Sequence, residues 1–390
     1  MKDIWSQFKT IINRFRDLTS LSVATIVTNG IGGVFWLYMA SLLGTKGYGE
    51  ISYMISIAIL SSTISLAGMS NVLIVYGAKN VKIQSTIFLI GLISSIITSL
   101  IVFSFVANDI TISLYIIGYV IFTLIMAELI GQKLFLKYSK IIIIQKILLV
   151  IFSITLYHLI GLEGVILGIA LSFLVFSFII YKTLKEMKID FSIFKDKYRF
   201  TINSFLLDIS TAFIGSIDKI IIFPLLGFSI LGNYQLGLQF IGLLHIIPGV
   251  LFAYSLSHDA SGISTKFIKK IIICISIILA MFSITLSPIF VSVIFPEFTD
   301  AVIAIQIMSV SIIPSAITMT YISKYLGLTN SKIVIVGSVS YLVIQIISLI
   351  ILGNMYGLDG AATSVVISSI AHVIYFVIVD RFYYKFQSTT

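Results

Sequence analysis

The chain has one cysteine, Cys274, five prolines, and no polar stretch long enough to fold as a soluble domain. A lone thiol inside an apolar run excludes an intrachain disulfide and a thiolate metal site. Charged residues make up 11% of the 390 residues, less than half the roughly 25% usual in soluble domains. Acidic residues are the scarcer sign, 16 against 25 Lys and Arg, for a net charge of +9. No Gly-x-x-x-x-Gly-Lys-Ser/Thr phosphate loop occurs, and no His-x-x-x-His or His/carboxylate group has metal-ligand spacing. ATP hydrolysis and a metal centre are therefore not expected, and no cofactor is implied.

What the chain does have is hydrophobicity: 58% apolar residues and a mean hydropathy of +1.12. Apolar runs of about 20 residues, enough to cross the hydrocarbon core as helices, follow one another from Leu21 to Val379. Counted as twelve, they leave breaks that alternate between basic and non-basic. Of the 25 Lys and Arg residues, 23 fall at the N-terminus, in alternate breaks or within six residues of them, or at the C-terminus; only Lys46 and Lys219 lie elsewhere. An odd number of spans would scramble that alternation. The positive-inside rule then predicts a multi-pass protein of the cell membrane with both termini in the cytoplasm. The basic excess is accounted for by topology and anionic lipid headgroups, so nucleic acid is not expected as a partner.

The spans are predicted at 20–43, 50–70, 83–106, 110–130, 141–161 and 164–181, then at 201–225, 229–252, 268–294, 300–322, 333–353 and 358–379. Residues 1–19 place Trp5, Phe8, Ile12 and Phe15 at helical spacing among basic residues, the pattern of a cytoplasmic interfacial helix. The expected organisation is an N-lobe over 20–181, a basic cytoplasmic linker over 182–200, a C-lobe over 201–379 and a cytoplasmic tail over 380–390.

The halves resemble each other. Leu43-Gly44 followed by Gly47-Tyr48 recurs as Leu226-Gly227 followed by Gly232-Asn233-Tyr234. Tyr138-Ser139-Lys140-Ile141 recurs as Asn330-Ser331-Lys332-Ile333, and Gly161-Leu162-Glu163-Gly164 as Gly357-Leu358-Asp359-Gly360. Each pair falls on one side of the membrane, so the two six-helix lobes form a parallel repeat, an arrangement found in transporters. The fold class expected is an all-α polytopic membrane protein of twelve transmembrane helices.

These motifs carry a resemblance to a family. The stretch Met39 to Gly49, with Leu43-Gly44 and Tyr48-Gly49, resembles the first-loop signature of the polysaccharide-transport flippases. Leu66-Ala67-Gly68-Met69-Ser70, Asp218-Lys219 ahead of Leu226-Gly227, and Tyr356-Gly357-Leu358-Asp359-Gly360-Ala361-Ala362 resemble further motifs of the same family. Ser41 stands where the family usually has a basic residue. That family is the O-antigen (Wzx-like) branch of the multidrug/oligosaccharidyl-lipid/polysaccharide (MOP) superfamily, which also holds the multidrug and toxic-compound extruders (MATE) and the lipid II flippases. The resemblance implies a MATE-like fold and alternating access. It also implies transport of a polyprenyl-phosphate or -pyrophosphate oligosaccharide to the outer leaflet for surface polysaccharide synthesis. Implied partners are that lipid-linked substrate, membrane lipids, a coupling H+ or Na+, and other polysaccharide-assembly proteins.

Polar residues on one face of an apolar helix are the candidates for contact with a hydrated headgroup, because ionisable groups are costly within a span. Ser204, Asp208, Thr211, Gly215 and Lys219 form one stripe on the seventh helix, with Asp208 and Lys219 roughly 16 Å apart along the axis. Thr25 and Asn29 lie on the matching stripe of the first helix, and Thr25 falls opposite Asp208 in the repeat. Gln235 and Gln239, with His245 beside them, lie on the eighth. Tyr48, Tyr53 and Tyr234 suit sugar hydroxyls and ring faces. Asp208 and Glu128 are candidates for a coupling ion, and Lys219 for the substrate phosphate. Each has a structural alternative: helix packing for the glutamines and His245, a basic neighbour for Glu128, and an interfacial anchor for Asp218-Lys219. A MATE-type drug or cation antiporter and a membrane-embedded glycan polymerase or ligase are the rival functions. The short external loops leave no room for an enzyme's acidic and basic residues, and no catalytic residues are expected.

Overall fold

The structure is a computed structural model that describes the backbone of residues 2–79, 81–186, 198–260, 265–328 and 330–387. Side chains are described for these except 2–20, 22, 182–186, 253, 257, 260 and 383–387. The amphipathic face expected over 1–19, most of the 182–200 linker and the end of the tail lie outside the described residues.

Among the described residues, nine helices are long and apolar enough to cross a membrane, and one bent pair makes a tenth. Two of the nine are too long for one crossing. Val23–Leu66 has 44 residues and Ser331–Phe382 has 52; at 1.5 Å per residue each is about twice the thickness of a hydrocarbon core. Each is broken by one non-helical glycine, Gly44 (φ 65°, ψ −179°) and Gly357 (φ 58°, ψ −128°). Divided there, the ten become twelve. We number them α1 (23–43), α2 (45–66, continued by Met69–Ala78), α3 (Gln84–Phe105), α4 (Ile110–Gly131), α5 (Phe135–Ile160) and α6 (Leu162–Tyr181). There follow α7 (Tyr198–Leu226), α8 (Phe228–Leu244 and Ile246–Leu256, bent by 44°), α9 (Lys266–Ile294), α10 (Ala301–Gly327), α11 (331–356) and α12 (358–382). The protein is an all-α, multi-pass membrane protein.

The parallel repeat is visible in the backbone. Gly44 and Gly227 (φ 86°, ψ 172°) end α1 and α7; Gly161 (φ 74°, ψ −144°) and Gly357 end α5 and α11. All four combine positive φ with extended ψ, a region open only to glycine, so that the chain reverses within a residue or two. The α5–α6 and α11–α12 hairpins are also pinned alike. Gln145 Nε2 donates to Ser172 Oγ at 2.9 Å, and Gln345 Nε2 to Ser364 Oγ at 3.2 Å, while Ser368 donates to Gln345 Oε1. Amide–hydroxyl pairs of this kind join helices where burial of apolar area gains nothing against lipid.

Two compact units form. One comprises Met1–Phe35 and Met54–Ala212, the other Trp36–Tyr53 and Phe213–Thr390. The α1–α2 turn thus packs within the second unit, where Tyr48 is wholly buried among Ala40, Leu236, Phe295 and Phe298. The beginning of α7 packs within the first. There α2 departs from the expected boundary at 70: a left-handed turn at Ala67 (φ 45°) and Gly68 (φ 77°) redirects the helix, which continues to Ala78. Only glycine fits at 68, since a β-carbon would stand 2.5 Å from the Thr201 carbonyl oxygen and 2.6 Å from the Phe205 nitrogen.

Candidate functional site

The backbone contact at Gly68 sets the lower part of α2 against the start of α7 and brings two polar side chains together inside the first unit. Asn71 Nδ2 donates to Asp208 Oδ1 at 2.9 Å. Ser70 is a second hydrogen-bonding neighbour of that carboxylate, and the Tyr119 phenol on α4 lies within electrostatic reach. No Lys or Arg pairs with Asp208 among the described residues. The carboxylate is half-buried, accepts from neutral groups, and keeps lone pairs for a cation, a proton or a sugar hydroxyl. Ser204, one turn earlier, is buried under Gly68.

The rest of the α7 stripe parts company with Asp208. Thr211 is exposed and donates to the Leu207 carbonyl at 3.0 Å. Lys219 belongs to the second unit. Its Nζ donates to the Gly215 carbonyl at 2.6 Å and lies 3.3 Å from Asp218 Oδ1, with 12% of its side chain exposed. Asp218 is buried and also accepts the Tyr234 hydroxyl at 3.0 Å and the Lys219 backbone N–H at 2.8 Å. Asp218 and Lys219 thus form a packed ion pair.

On α1, Thr25 and Asn29 are exposed, and the Thr25 hydroxyl donates to the Leu21 carbonyl at 2.9 Å. On α8, Gln235 and Gln239 are half-buried. Gln235 Oε1 and the buried Tyr48 hydroxyl are neighbours without a well-formed hydrogen bond. His245 stands at the bend of α8, its Nε2 without a hydrogen-bond partner among the described residues. Glu128 is buried near the end of α4 and accepts from Gln132 Nε2 at 2.8 Å, with Lys137 within electrostatic reach. Two of the three tyrosines expected to meet sugar do not offer a free face. Tyr48 and Tyr234 are fully buried, because ring packing and the Asp218 bond consume them, and Tyr53 packs on Phe223 at 4.5 Å.

Asn71 was not expected, because the predicted second span ended at residue 70. The signal was present: Ala67-Gly68 interrupts an apolar run that resumes at Met69. The second unit holds another unforeseen network. Asp259 accepts from Thr265 Oγ1 and Lys269 Nζ, both at 2.5 Å, and from Ser323 Oγ at 2.6 Å. Burial raises its pKa, but the hydrogen bonds from Lys269, Ser323 and Thr265 and the Lys269 charge together outweigh that and leave it below 3.8.

Known structures share this arrangement of helices. Lipid II flippase MurJ in an inward closed conformation superposes with a TM-score of 0.74 at 16% identity, over 93% of this chain and 87% of that one. An inward-facing multidrug resistance MATE family transporter of the MOP superfamily gives 0.67 at 16% identity, over 96% and 99%. The chain has the MOP fold. A MOP superfamily transporter from Pyrococcus furiosus, at 0.57, 16% identity, and 94% and 95% coverage, is a further MOP-fold neighbour. No protein-family model and no curated protein matches the sequence itself.

Proposed function

We propose that this MOP-fold protein is an exporter that moves a lipid-linked oligosaccharide, carried on a polyprenyl phosphate or pyrophosphate, to the outer leaflet by alternating access. Both termini would lie in the cytoplasm, as the basic breaks predict. The observation that carries the reading is Asp208. It is a carboxylate held within a span by Asn71 rather than by a cation, on a chain whose helices superpose on a lipid II flippase. A group so placed can exchange a proton, a Na+ or a sugar hydroxyl without first breaking an ion pair. The O-antigen branch of the superfamily is the member class that the loop motifs favour.

Lys219 can meet the substrate phosphate only after leaving Gly215 and Asp218, so its part in this reading is conditional on a rotamer change. The second reading, a drug or cation antiporter, has the MATE likeness in its favour. Glycan polymerase or ligase activity has no such support.

The test is Asp208→Asn in cells that depend on this protein for surface glycan. Export should fall at least tenfold with membrane expression retained. Unchanged export would remove Asp208 from the mechanism. Efflux of a cationic dye by the purified protein, with no glycan export, would favour the antiporter.

A further inference from the structure

Among the described residues only two other than glycine adopt positive φ: Ala67 in the α2 turn and Lys133 (φ 59°). Lys133 closes the end of α4, donating its backbone N–H to the Ile130 carbonyl at 2.9 Å. Glycine is at ease in that conformation and lysine is strained, so the local structure does not call for lysine there.

Its surroundings suggest what the side chain is for. Two residues earlier, Gly131 meets Gly77 of α2: a β-carbon on Gly77 would stand 3.3 Å from Gly131 Cα, and one on Gly131 2.6 Å from the Leu73 carbonyl oxygen. The ends of α2 and α4 are therefore side by side, with Lys79 and Lys133 each two residues beyond the contact. Tyr76 meets Phe200 edge-on at 5.9 Å, which adds the start of α7 with Tyr198 and Arg199. The Lys79 ammonium lies 5.5 Å from the Tyr76 ring centre and the Arg199 guanidinium 5.9 Å from that of Tyr198. Lys79, Lys82, Lys133 and Arg199 are exposed, and none is in an ion pair among the described residues. In the second unit, by contrast, Lys269 and Lys324 are each held 2.5 Å from a carboxylate, Asp259 and Asp380.

Topology alone asks for basic residues on this side but not for their being unpaired, ring-backed or placed at a strained φ. Tyrosines at a span end sit at headgroup depth, so these cations lie at the level of lipid phosphates. Several exposed cations at neighbouring helix ends match a multiply charged phosphate better than a single phosphodiester.

We propose that the patch formed by Lys79, Lys82, Lys133 and Arg199 is where the polyprenyl (pyro)phosphate headgroup of the substrate docks before transport. This rests on the exporter reading above. The test uses the full-length protein in phosphatidylcholine nanodiscs doped with polyprenyl monophosphate, with phosphatidylglycerol at equal charge, or with polyprenol. The readout is the rise in unfolding temperature as each lipid is titrated. The wild type should respond to polyprenyl monophosphate at about one-tenth the concentration of phosphatidylglycerol. Lys133→Gly, which relieves the backbone, should melt no lower than the wild type in plain lipid yet need about tenfold more polyprenyl monophosphate. Lys79→Gln should behave likewise, and Lys270→Gln, an exposed cation of the second unit, should not. Wild-type titration by Lys133→Gly and Lys79→Gln overturns the site while leaving the exporter reading intact. An equal response to phosphatidylglycerol overturns it in favour of a generic anionic surface. A wild type that does not distinguish polyprenyl monophosphate from polyprenol overturns the exporter reading as well.

Discussion

Gly49 and Gly232 lie backbone to backbone where α2 and α8 begin. A β-carbon on Gly49 would stand 2.0 Å from the Phe228 carbonyl oxygen, and one on Gly232 would stand 1.9 Å from that of Thr45. The contact is reciprocal. Thr45 and Phe228, like Gly49 and Gly232, are 183 positions apart, the same offset that relates Gly44 to Gly227. Two equivalent helix ends thus meet about a local two-fold, closed further by the Ser229–Thr45 hydroxyl bond at 3.1 Å. Small residues permit such close approach of helices in a membrane.

Alanine at either position must therefore push the helix ends apart. Gly49→Ala and Gly232→Ala are each expected to lower stability by about 1–3 kcal/mol, the usual cost of overpacking. Gly215→Ala, on an exposed face with open space around its Cα, should instead be neutral or stabilise by up to about 1 kcal/mol. Thermal unfolding of the three purified variants in one detergent separates the cases.

If the proposed exporter function holds, Asn71 should matter as much as Asp208 to transport. Asn71→Leu removes the donor and leaves the carboxylate facing an apolar neighbour; export is expected to fall to within a few-fold of the Asp208→Asn level. The exchanged pair, Asn71→Asp with Asp208→Asn, restores one donor and one carboxylate and should recover part of the loss. Glycan export in the single and exchanged variants, at matched expression, decides it.

The Asp259 network predicts a pH dependence with a definite sign. Its folded-state pKa is below the ordinary 3.8, so its stabilisation is fully present above that value and is lost as pH falls through the lower, folded value. Asp259→Asn should cost about 2 kcal/mol at pH 7, in line with hydrogen bonds to a charged group. The unfolding temperatures of wild type and variant, followed downward in pH, should converge only below about 3.8.

Gln345 joins α11 to α12 through Ser364 and Ser368. Gln345→Met keeps the volume and leaves both serines without their interhelical partner. The expected loss is about 1–2 kcal/mol, because each serine also bonds its own helix. Gln145→Met should do the same to the α5–α6 hairpin, and comparing the two melts tests how far the repeat shares its energetics.

The number of spans and the parallel repeat were legible without coordinates, because each follows from local properties. A 20-residue apolar run can satisfy its backbone in lipid only as a helix, and Lys and Arg distribution sets its direction. The glycines at 44, 161, 227 and 357 were likewise visible as repeated loop motifs. What the residues of the α7 stripe do was not legible. Helical periodicity placed Ser204, Asp208, Thr211 and Lys219 on one face, but the face does not say what packs against each turn of it. The tertiary structure gave Asp208 a neutral amide from α2, tied Lys219 to its own helix, and buried Tyr48 and Tyr234 that composition offered to sugar. Those outcomes depend on which distant backbone comes within a few ångströms, as at Gly68 and Thr201. Sequence determines spans through transfer free energy, one segment at a time; partners are chosen by contacts between segments far apart in the chain, and only the folded packing decides them.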